Sequence, residues 1–432
     1  MRLQAANMKI PTSVLIYPGG SENALEIHAA LSRQVNITLY GASSRVDHGS
    51  LCYHNYCSDF PNIFDADFLP SLQDYIRRFD IDVIIPTHDD VTLALARVID
   101  SVPCKVAVAG LHQAELCRDK ALCFEALKAY EFCPRVFANL SDAEFPCFMK
   151  PRRGQGGQGA RVLYTPELLG SADDYILCEY LPGVELTVDC FSDRHGKLRF
   201  VGPRTRERIF GGISVRARTL NCTPEVRFIA QEIHTQFKMR GLWYFQVKKA
   251  KNGAFKLLEV SGRAAGGMSL YRQRGVNIPL ITVMDLMEME VEIIDQNFDV
   301  TVDRCLQPKY KIELDFSQIY IDFDDTIVGS AGVFPEVIAF IYQMKSIGKE
   351  LILISRNKKD LISTLKNNCI PTSLFRKIIQ LDAFQPKSTF IEPQGSIFID
   401  NSFAERKEVY QKHGIPCFDV NTVECIIALQ RA

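Results

Sequence analysis

The segment FMKPRRGQGGQGARVL, residues 148–163, decides how the middle of the chain is interpreted. Lys150 lies at the end of a strand-like apolar run, and four glycines between residues 154 and 159 precede the next apolar run. Such a loop lets backbone N–H groups approach phosphate oxygens closely, and the lysine supplies a compact positive charge. A hairpin without a ligand would carry the same glycines, so the loop alone leaves both interpretations open.

Two later segments add the polar groups that a nucleotide requires. In ILCEYLPGVELTVD, Glu179 and Glu185 flank an apolar hinge, which suits an adenine held by edge contacts and a ribose diol bound by a carboxylate. In WYFQVKKAKNGAFKLLEVSGR, Gln246 lies on one predicted strand, Glu259 on its hairpin partner and Arg263 beyond. Oxygen ligands on adjacent strands are what a magnesium ion bridging two phosphates requires.

The order of these motifs resembles the ATP-grasp superfamily, and closely the ATP-binding half of carbamoyl-phosphate synthase-like proteins, over residues 13–310. The resemblance implies ATP and Mg²⁺ as cofactors, phosphoryl transfer to a carboxylate, and attack on the acylphosphate by an amine or similar nucleophile. It implies that these residues contact ATP: Lys120, Lys150, Gly156, Gly157, Glu179, Leu181 and Glu185. Gln246, Glu259 and Ser261 would bind magnesium, and Arg263 would face the reacting phosphoryl group. The family usually has asparagine where this chain has Ser261.

An arginine cluster follows in GPRTRERIFGGISVRARTL. Its members surround a Gly-Gly turn: Arg204, Arg206, Arg208, Arg216 and Arg218. The cluster could recognise a phosphorylated or polyanionic substrate. An exposed face of alternating strands would give the same pattern, and both interpretations stay open.

Three aspartates end a strand-like run in IYIDFDDTIVGS, residues 319–330. Asp322, Asp324 and Asp325 repel one another unless a positive group lies between them. Either a cation or a phosphoryl group binds there, or the segment is a solvated turn.

The parts of a phosphatase site follow these aspartates in order. Ser355 ends the run ELILIS, Lys387 lies in FQPKSTF, and Asp400 ends SIFID. This order resembles the haloacid-dehalogenase-like (HAD) phosphatase superfamily over residues 317–432. The resemblance implies that Asp322 is the nucleophile and that Asp324 is the general acid and base. It also implies that Ser355 and Lys387 bind phosphate. Magnesium would be held by Asp322, Asp324 and Asp400. The spacing leaves no room for an inserted cap domain, which predicts an open site.

The fold class predicted is α/β and α+β multidomain. Alternating short strands and helices predict an N-terminal α/β pre-ATP-grasp domain over residues 1–115. Longer alternating strands predict an ATP-grasp domain with antiparallel sheets over residues 116–315. The strand-helix rhythm then returns and predicts a capless, Rossmann-like HAD domain over residues 316–432.

Composition narrows the class of protein. The chain has 432 residues, a net charge of −1 and 14 scattered cysteines, and it has no membrane-spanning apolar run. We therefore expect a cytoplasmic enzyme with reduced cysteines and no membrane or nucleic-acid partner. The leading interpretation is a ligase fused to a phosphatase that acts on the same intermediate. The expected substrates are a small-molecule carboxylate and a nucleophile, either of which can be phosphorylated. Homo-oligomerisation is left open. The alternatives are a HAD domain that only serves as a scaffold, and a nucleic-acid end-processing protein.

Overall fold

The structure, a computed structural model, describes residues 11–154, 156–166 and 174–427. The chain divides into two units, Met1–Leu306 and Gln307–Ala432. The first unit therefore contains the predicted pre-ATP-grasp segment and the ATP-grasp segment up to Leu306, whereas residues 307–315, predicted to end the ATP-grasp segment, belong to the second unit. The boundary between the two segments of the first unit stays a prediction.

The N-terminal part of the first unit forms a five-stranded parallel sheet in the order β3-β2-β1-β4-β5. Its strands are β1 (Thr12–Tyr17), β2 (Ile37–Ala42), β3 (Asn55–Cys57), β4 (Val83–Pro86) and β5 (Lys105–Val106). Its helices are α1 (Glu22–Leu31), α2 (Phe68–Phe79) and α3 (Asp89–Arg97). This confirms the predicted parallel α/β arrangement, although the polar strand β3 was not foreseen.

The carboxyl edge of this sheet presents two helix starts. The Ser21 side chain caps α1 by accepting a hydrogen bond from the Ala24 N–H, and α3 begins at Asp89, three residues after β4 ends. Both turns lie on one edge because the strands are parallel, and ligands of open α/β sheets bind beyond that edge.

The middle of the chain forms antiparallel sheets, as predicted. After α4 (Leu111–Arg118) and α5 (Lys120–Leu127), one sheet has the order β6-β9-β7-β8. Its strands are β6 (Val136–Phe137), β7 (Cys147–Pro151), β8 (Arg161–Leu163) and β9 (Tyr175–Glu179). The glycine-rich segment connects β7 to β8, so Lys150 stands at the entrance of that loop.

A second antiparallel sheet has the order β11-β10-β14-β15. Its strands are β10 (Glu185–Ser192), β11 (Leu198–Thr205), β14 (Gly241–Lys249) and β15 (Phe255–Ser261). A small sheet, β12 (Arg208–Phe210), β13 (Ile213–Arg218) and β16 (Thr301–Asp303), lies beside it in the order β12-β13-β16. The remaining helices of the unit are α6 (Pro224–Phe237), α7 (Ser269–Arg272) and α8 (Ile278–Leu286).

The core under the second antiparallel sheet fixes its register. Trp243, Phe245 and Val247 on β14 are buried together with Ile229 and Ile233 of α6. Because side chains alternate across a strand, burial of these β14 positions sends the intervening ones, including position 246, to the opposite face. That face carries the polar groups described below.

The second unit forms a five-stranded parallel sheet in the order β21-β20-β17-β22-β23. Its strands are β17 (Gln318–Ile321), β20 (Glu350–Ser355), β21 (Lys377–Gln380), β22 (Ser396–Ile399) and β23 (Cys417–Phe418). A two-stranded ribbon pairs β18 (Val328–Gly329) with β19 (Gly332–Val333). The helices are α9 (Pro335–Ser346), α10 (Leu361–Asn367), α11 (Phe403–His413) and α12 (Glu424–Ile427).

Two segments of the second unit bear on the open site expected from the sequence. Residues 323–354 contain the ribbon, α9 and most of β20, and residues 356–386 contain α10 and β21. Both segments lie wholly within the described part of the chain, and neither holds an inserted domain. The carboxyl ends of β17, β20 and β22 are therefore not covered by an insertion between Asp322 and Lys387.

Candidate active sites

The residues predicted to contact ATP line one cavity of about 490 Å³ in the first unit. All seven are present in its wall: Lys120, Lys150, Gly156, Gly157, Glu179, Leu181 and Glu185. Gln246 and Glu259 line the same cavity. Residues spread over more than a hundred positions of sequence are thus brought around one space.

Two lysines reach this cavity from different elements. Lys150, buried on β7, donates from Nζ to the Leu258 carbonyl oxygen at 2.7 Å, and its ammonium lies 4.7 Å from the Phe124 ring centroid. Lys120, the first residue of α5, donates to the Gly154 carbonyl oxygen at 3.0 Å, and burial lowers its pKa. An ammonium group has three donors, so both lysines retain donors for phosphate oxygens.

The glycine-rich loop needs glycine for two different reasons. Gly157 has a φ of 70°, a left-handed conformation that L side chains rarely adopt. The turn between β12 and β13 comes so close that a Cβ on Gly212 would lie 2.1 Å from the Gly156 carbonyl oxygen. The loop is therefore packed against the Gly-Gly turn of the arginine-rich segment.

The two glutamates expected at the nucleoside already have partners. The Glu179 carboxylate accepts a hydrogen bond from the Arg135 N–H at 2.9 Å, and Leu181 is buried beside it. Glu185 lies 2.7 Å from Arg206 Nε. Arg206 also reaches toward the Gly212 carbonyl oxygen at 3.4 Å, so it connects the expected ribose ligand to the turn that packs on the glycine-rich loop.

Gln246 and Glu259 are direct partners in the pairing of β14 with β15. The Gln246 amide nitrogen donates to Thr187 Oγ1 at 3.4 Å, which leaves the amide oxygen for a cation. Tyr244 donates to Glu259 Oε1 at 3.4 Å. Two neighbouring oxygen donors beside two lysines fit a magnesium ion bound with a polyphosphate.

Ser261 does not point its hydroxyl proton toward this pair. Its Oγ donates to Asp89 Oδ1 at 2.7 Å, and Arg263 Nη2 donates to Asp89 Oδ2 at 2.8 Å. Burial alone would raise the pKa of Asp89, but the Arg263 guanidinium and the Ser261 hydroxyl lower it to about 2. Sequence reasoning missed Asp89. The available signal was an acidic pair three residues after a strand of the parallel sheet.

A second cavity of about 310 Å³ shares Lys120, Gln246 and Glu259 with the first. Asp89 and Arg263 lie in its wall, which also includes the two turns at the carboxyl edge of the N-terminal sheet. This cavity therefore lies beside the residues expected at the reacting phosphate.

The arginine cluster divides between this cavity and the surface. Arg204 and Arg206 line the second cavity. Arg204 is 2% exposed and is paired with the buried Asp189 at 2.8 Å. Arg208 and Arg216 instead pair with Asp303 at the surface, and Arg218 is exposed. The predicted polyanion cluster is thus reduced to two arginines at the cavity.

The five predicted catalytic and metal-binding residues of the second unit meet at one sheet edge: Asp322, Asp324, Ser355, Lys387 and Asp400. Lys387 Nζ donates to Asp322 Oδ1 and to Asp400 Oδ2, both at 2.6 Å. The positive group between these two carboxylates is therefore an ammonium. Magnesium ligation by Asp322, Asp324 and Asp400 stays a prediction.

Burial perturbs the acids of this cluster. Burial and the nearby Asp400 outweigh Lys387 and raise the pKa of Asp322 to about 6. Burial likewise raises the pKa of Asp400. Asp322 is therefore ionised above neutral pH, the state that a carboxylate nucleophile needs.

The exposed Asp324 faces the neighbouring strand β20. Ser355 Oγ donates to its Oδ2 at 3.3 Å, and Asn357 Nδ2 donates to its Oδ1 at 2.8 Å. Glu405, in the first turn of α11, pairs with Arg356. Its other oxygen, Oε2, is buried without a hydrogen-bond partner.

Metal and membrane features can be assessed in the described ranges. Within residues 11–154, 156–166 and 174–427, no group of three or more His, Cys, Asp or Glu side chains is arranged to hold a metal ion. Asp322, Asp324 and Asp400 therefore do not form such a group in this structure, and magnesium ligation by them rests on the resemblance alone. The magnesium fit in the first unit uses the Gln246 amide, one carboxylate and ligand phosphates. No described helix is both long enough and apolar enough to cross a membrane.

Comparisons with known proteins bear on the first unit. Residues 171–306 match the family described as "ATP-grasp in the biosynthetic pathway with Ter operon". No curated protein sequence matches the chain. Because the family match ends at residue 306, the interpretation of the second unit rests on its own side chains.

Solved structures similar to the chain share its fold at low sequence identity. One is the biotin carboxylase domain dimer of Hydrogenobacter thermophilus 2-oxoglutarate carboxylase, solved in complex with MgADP, ADP and bicarbonate. Its TM-score is 0.57 at 15% sequence identity, and the matched region covers 68% of this chain and 74% of the biotin carboxylase chain. N5-carboxyaminoimidazole synthetase from Staphylococcus aureus, complexed with ADP, has a TM-score of 0.56 at 12% identity, with 68% and 82% covered. L-amino acid ligase from Bacillus licheniformis has a TM-score of 0.51 at 17% identity, with 65% and 75% covered.

Proposed function

We propose, from the ATP-grasp-like fold of the chain, that the first unit is an ATP- and Mg²⁺-dependent ligase. The observation that carries the proposal is the single cavity that collects all seven expected ATP contacts together with Gln246 and Glu259. The similar biotin carboxylase domain was solved with MgADP and the synthetase with ADP, which supports a nucleotide in the corresponding space of this chain.

Each residue of the cavity has a distinct role in this proposal. Lys150 and Lys120 bind phosphate oxygens, and the glycine-rich loop covers the phosphates with backbone N–H groups. Gln246 and Glu259 would hold magnesium, which supplies charge neutralisation at the phosphates when bound. Arg263 stabilises the negative charge that develops during phosphoryl transfer.

The reaction proceeds in two steps. A carboxylate oxygen of the substrate attacks the γ-phosphorus of ATP, the bond to the bridging oxygen breaks, and ADP leaves. An amine or similar nucleophile then attacks the acylphosphate carbon, loses a proton and displaces inorganic phosphate. The second cavity, which holds Arg263 in its wall, is where we place the carboxylate substrate.

A screen for ADP release tests this proposal. Purified protein is incubated with MgATP and pairs of carboxylates and amines, in parallel with Lys150→Met. At least one pair is expected to raise ADP release in the wild type and not in the variant. Failure of the wild type to bind MgADP, together with no stimulation by any pair, would refute the ligase proposal.

We propose further that the second unit is a magnesium-dependent HAD-type phosphomonoesterase, acting on the same biosynthetic intermediate as the ligase. The supporting observation is that Asp322, Asp324, Ser355 and Lys387 meet at the carboxyl edge of a parallel sheet, with no inserted domain between Asp322 and Lys387. The raised pKa of Asp322 accords with a functional group, because buried ionisable groups concentrate at active sites.

The proposed hydrolysis uses two carboxyl groups in turn. An Asp322 oxygen attacks phosphorus, the bond to the leaving oxygen breaks, and a proton at Asp324 passes to the leaving alcohol. Water then attacks the aspartyl-phosphate, Asp324 accepts its proton, and inorganic phosphate leaves. Lys387 and Ser355 bind the phosphoryl oxygens.

A generic aryl phosphate provides the first test of this second activity. Magnesium-dependent phosphate release is expected from the wild type and is expected to fall at least about 1,000-fold in Asp322→Asn, because an amide is too weak a nucleophile. A wild type that is inert toward a broad panel of phosphomonoesters would favour the scaffold interpretation.

A further inference from the structure

Asp89 connects the N-terminal sheet to the reacting end of the proposed ATP site. It is the first residue of α3, three residues after β4 ends, and both of its carboxylate oxygens accept hydrogen bonds from residues at or just after the end of β15. Ser261 Oγ binds Oδ1 at 2.7 Å, and Arg263 Nη2 binds Oδ2 at 2.8 Å. One carboxylate therefore orients two side chains that the family resemblance places at the phosphates.

The Arg263 guanidinium has few other restraints. Its Nη1 donates to the Ala264 carbonyl oxygen at 2.9 Å, and its centre lies 5.4 Å from the Tyr244 ring centroid. Nε is buried without a hydrogen-bond partner. Within the described residues, Asp89 is the acid that pairs with Arg263. Loss of its charge would leave a ring face and one carbonyl to orient a group whose catalytic value depends on direction.

The neighbouring residue holds the start of α3 in place. Asp90 pairs with Arg118 of α4 at 2.6 Å, and the preceding His88 accepts a hydrogen bond from the Asp90 N–H through Nδ1. Asp89 is thus presented from the start of a helix that is itself tied to a second helix. A rigid support of this kind is what a positioning group needs, because small displacements of catalytic groups lower rates strongly.

Ser261 occupies the position where the resemblance gives an asparagine that binds magnesium. The Ser261 hydroxyl donates its one proton to Asp89, and this bond holds Oγ on the side of β15 that faces α3. The side chain is 3% exposed and belongs to the contact between β15 and α3. Of the oxygen donors on this strand pair, Gln246 and Glu259 line the cavity of the expected ATP contacts, whereas Ser261 lines only the second cavity.

We propose that Asp89 is a positioning residue for phosphoryl transfer, which aligns Arg263 with the transferring group and retains Ser261 outside the magnesium coordination shell. The inference rests on the proposed ligase function. It assigns to the N-terminal sheet a direct part in the chemistry and reduces the protein ligands of magnesium to Gln246 and Glu259.

The test combines a double-mutant cycle with metal binding. ATP turnover and MgADP affinity are measured for Asp89→Asn, Arg263→Met and the double variant, with Asp89→Glu as the conservative substitution. Asp89→Asn is expected to lower kcat about 100-fold and to change the Kd of MgADP less than about threefold, since Arg263 acts on the transferring group. The double variant is expected to be no slower than Arg263→Met alone, because the two residues act as one unit.

Asp295→Asn is the matched control. Asp295 pairs with the buried Arg274 at 2.8 Å in the same unit, and neither residue lines the two cavities. Its kcat is expected to stay within about threefold of wild type, since a structural ion pair carries no catalytic geometry. Melting temperatures are measured for all variants, to identify any that fail to fold. If Asp89→Asn fails to fold, Asp89→Glu supplies the test. Its kcat is expected to lie between those of Asp89→Asn and the wild type.

Metal affinity is measured separately with Mn²⁺ and ADP by electron paramagnetic resonance. Ser261→Ala is expected to leave the Mn²⁺ affinity within about twofold of wild type, whereas Glu259→Gln is expected to lower it at least about tenfold. A tenfold loss in Ser261→Ala would overturn the assignment of Ser261.

The remaining outcomes separate this inference from the function on which it rests. Additive losses in the double-mutant cycle, or an unchanged kcat in Asp89→Asn, would overturn the role of Asp89 alone. A wild type that neither binds MgADP nor turns over ATP would refute the ligase proposal itself.

Discussion

Replacement of Asp322 by asparagine should stabilise the second unit while it removes the proposed nucleophile. Asp322 is 5% exposed, and burial together with Asp400 raises its pKa from 3.8 to about 6 despite the bond from Lys387. A carboxyl group with a raised folded-state pKa favours the folded state only while it is protonated. Its contribution is complete below about pH 4 and is lost as the pH rises through about 6.

The size of the effect follows from that difference in pKa. A change from 3.8 to about 6 corresponds to about 3 kcal/mol of lost stability above pH 7. Asparagine approximates the neutral carboxyl group in shape, so Asp322→Asn should regain about 1–3 kcal/mol at pH 8 and almost nothing at pH 4. For a unit of this size, about 1 kcal/mol corresponds to roughly 4 °C in melting temperature.

The assay follows thermal unfolding of the full chain at pH 4.5, 6 and 8, with hydrogen exchange of the β17 and β22 amides to identify the transition of the second unit. Asp325→Asn is the matched control. Asp325 is an exposed acid in the same loop with a φ of 52°, a conformation that asparagine tolerates, so no pH-dependent gain is expected. A stability gap for Asp322→Asn that is equal at pH 4.5 and 8, or a less stable variant at pH 8, would refute the reasoning.

Three further perturbations test the two sites. Lys150→Ala and Glu259→Ala should each abolish ATP turnover. Circular dichroism should show that both variants stay folded, because both residues line a cavity rather than fill a core. Wild-type rates in both variants would falsify the ATP site. Gly212→Ala should weaken MgATP binding, measured by calorimetry, about tenfold, because the new Cβ would lie 2.1 Å from the Gly156 carbonyl oxygen. Gly211→Ala is the control and should change the affinity less, because the space around its Cβ is open. Lys387→Met should destabilise the second unit by about 3–5 kcal/mol in urea at pH 8, and by less at pH 5, because two buried carboxylates lose their shared cation; an unchanged midpoint at pH 8 would contradict this.

Sequence patterns sufficed where neighbours in space are also neighbours in sequence. Gln246 and Glu259 lie on two strands of one hairpin, so the alternation of each strand and the short turn between them place both side chains on one face. The carboxyl-edge cluster was predictable for a related reason. In a parallel sheet every strand ends at the same edge, so Asp322, Ser355 and Asp400 had to come close once their strands were recognised.

Asp89 was not predictable because its role comes from a distant partner. Locally, an acid in the first turn of α3 is adequately explained by the helix dipole. The partner that gives it meaning, Arg263, lies 174 positions later. Nothing in the local pattern distinguishes Asp89 from Asp90, which pairs with Arg118 instead.

The same limit explains the arginine cluster and Glu405. The alternation of side chains along the strands does not predict that Asp303 pairs with Arg208 and Arg216. It also does not predict that Asp189 pairs with Arg204. The sequence pattern likewise does not predict the ion pair between Arg356 and Glu405. Which charges face a cavity depends on acids supplied by other elements.

Isotope transfer tests the central claim most directly. The wild-type protein is given MgATP, an amine and a carboxylate that stimulates ADP release, with both carboxylate oxygens labelled with ¹⁸O, and the inorganic phosphate formed is examined by mass spectrometry. Activation as an acylphosphate predicts one ¹⁸O atom in each phosphate released with the ligated product, and no such phosphate from Lys150→Met. Ligated product accompanied by unlabelled phosphate would contradict the account.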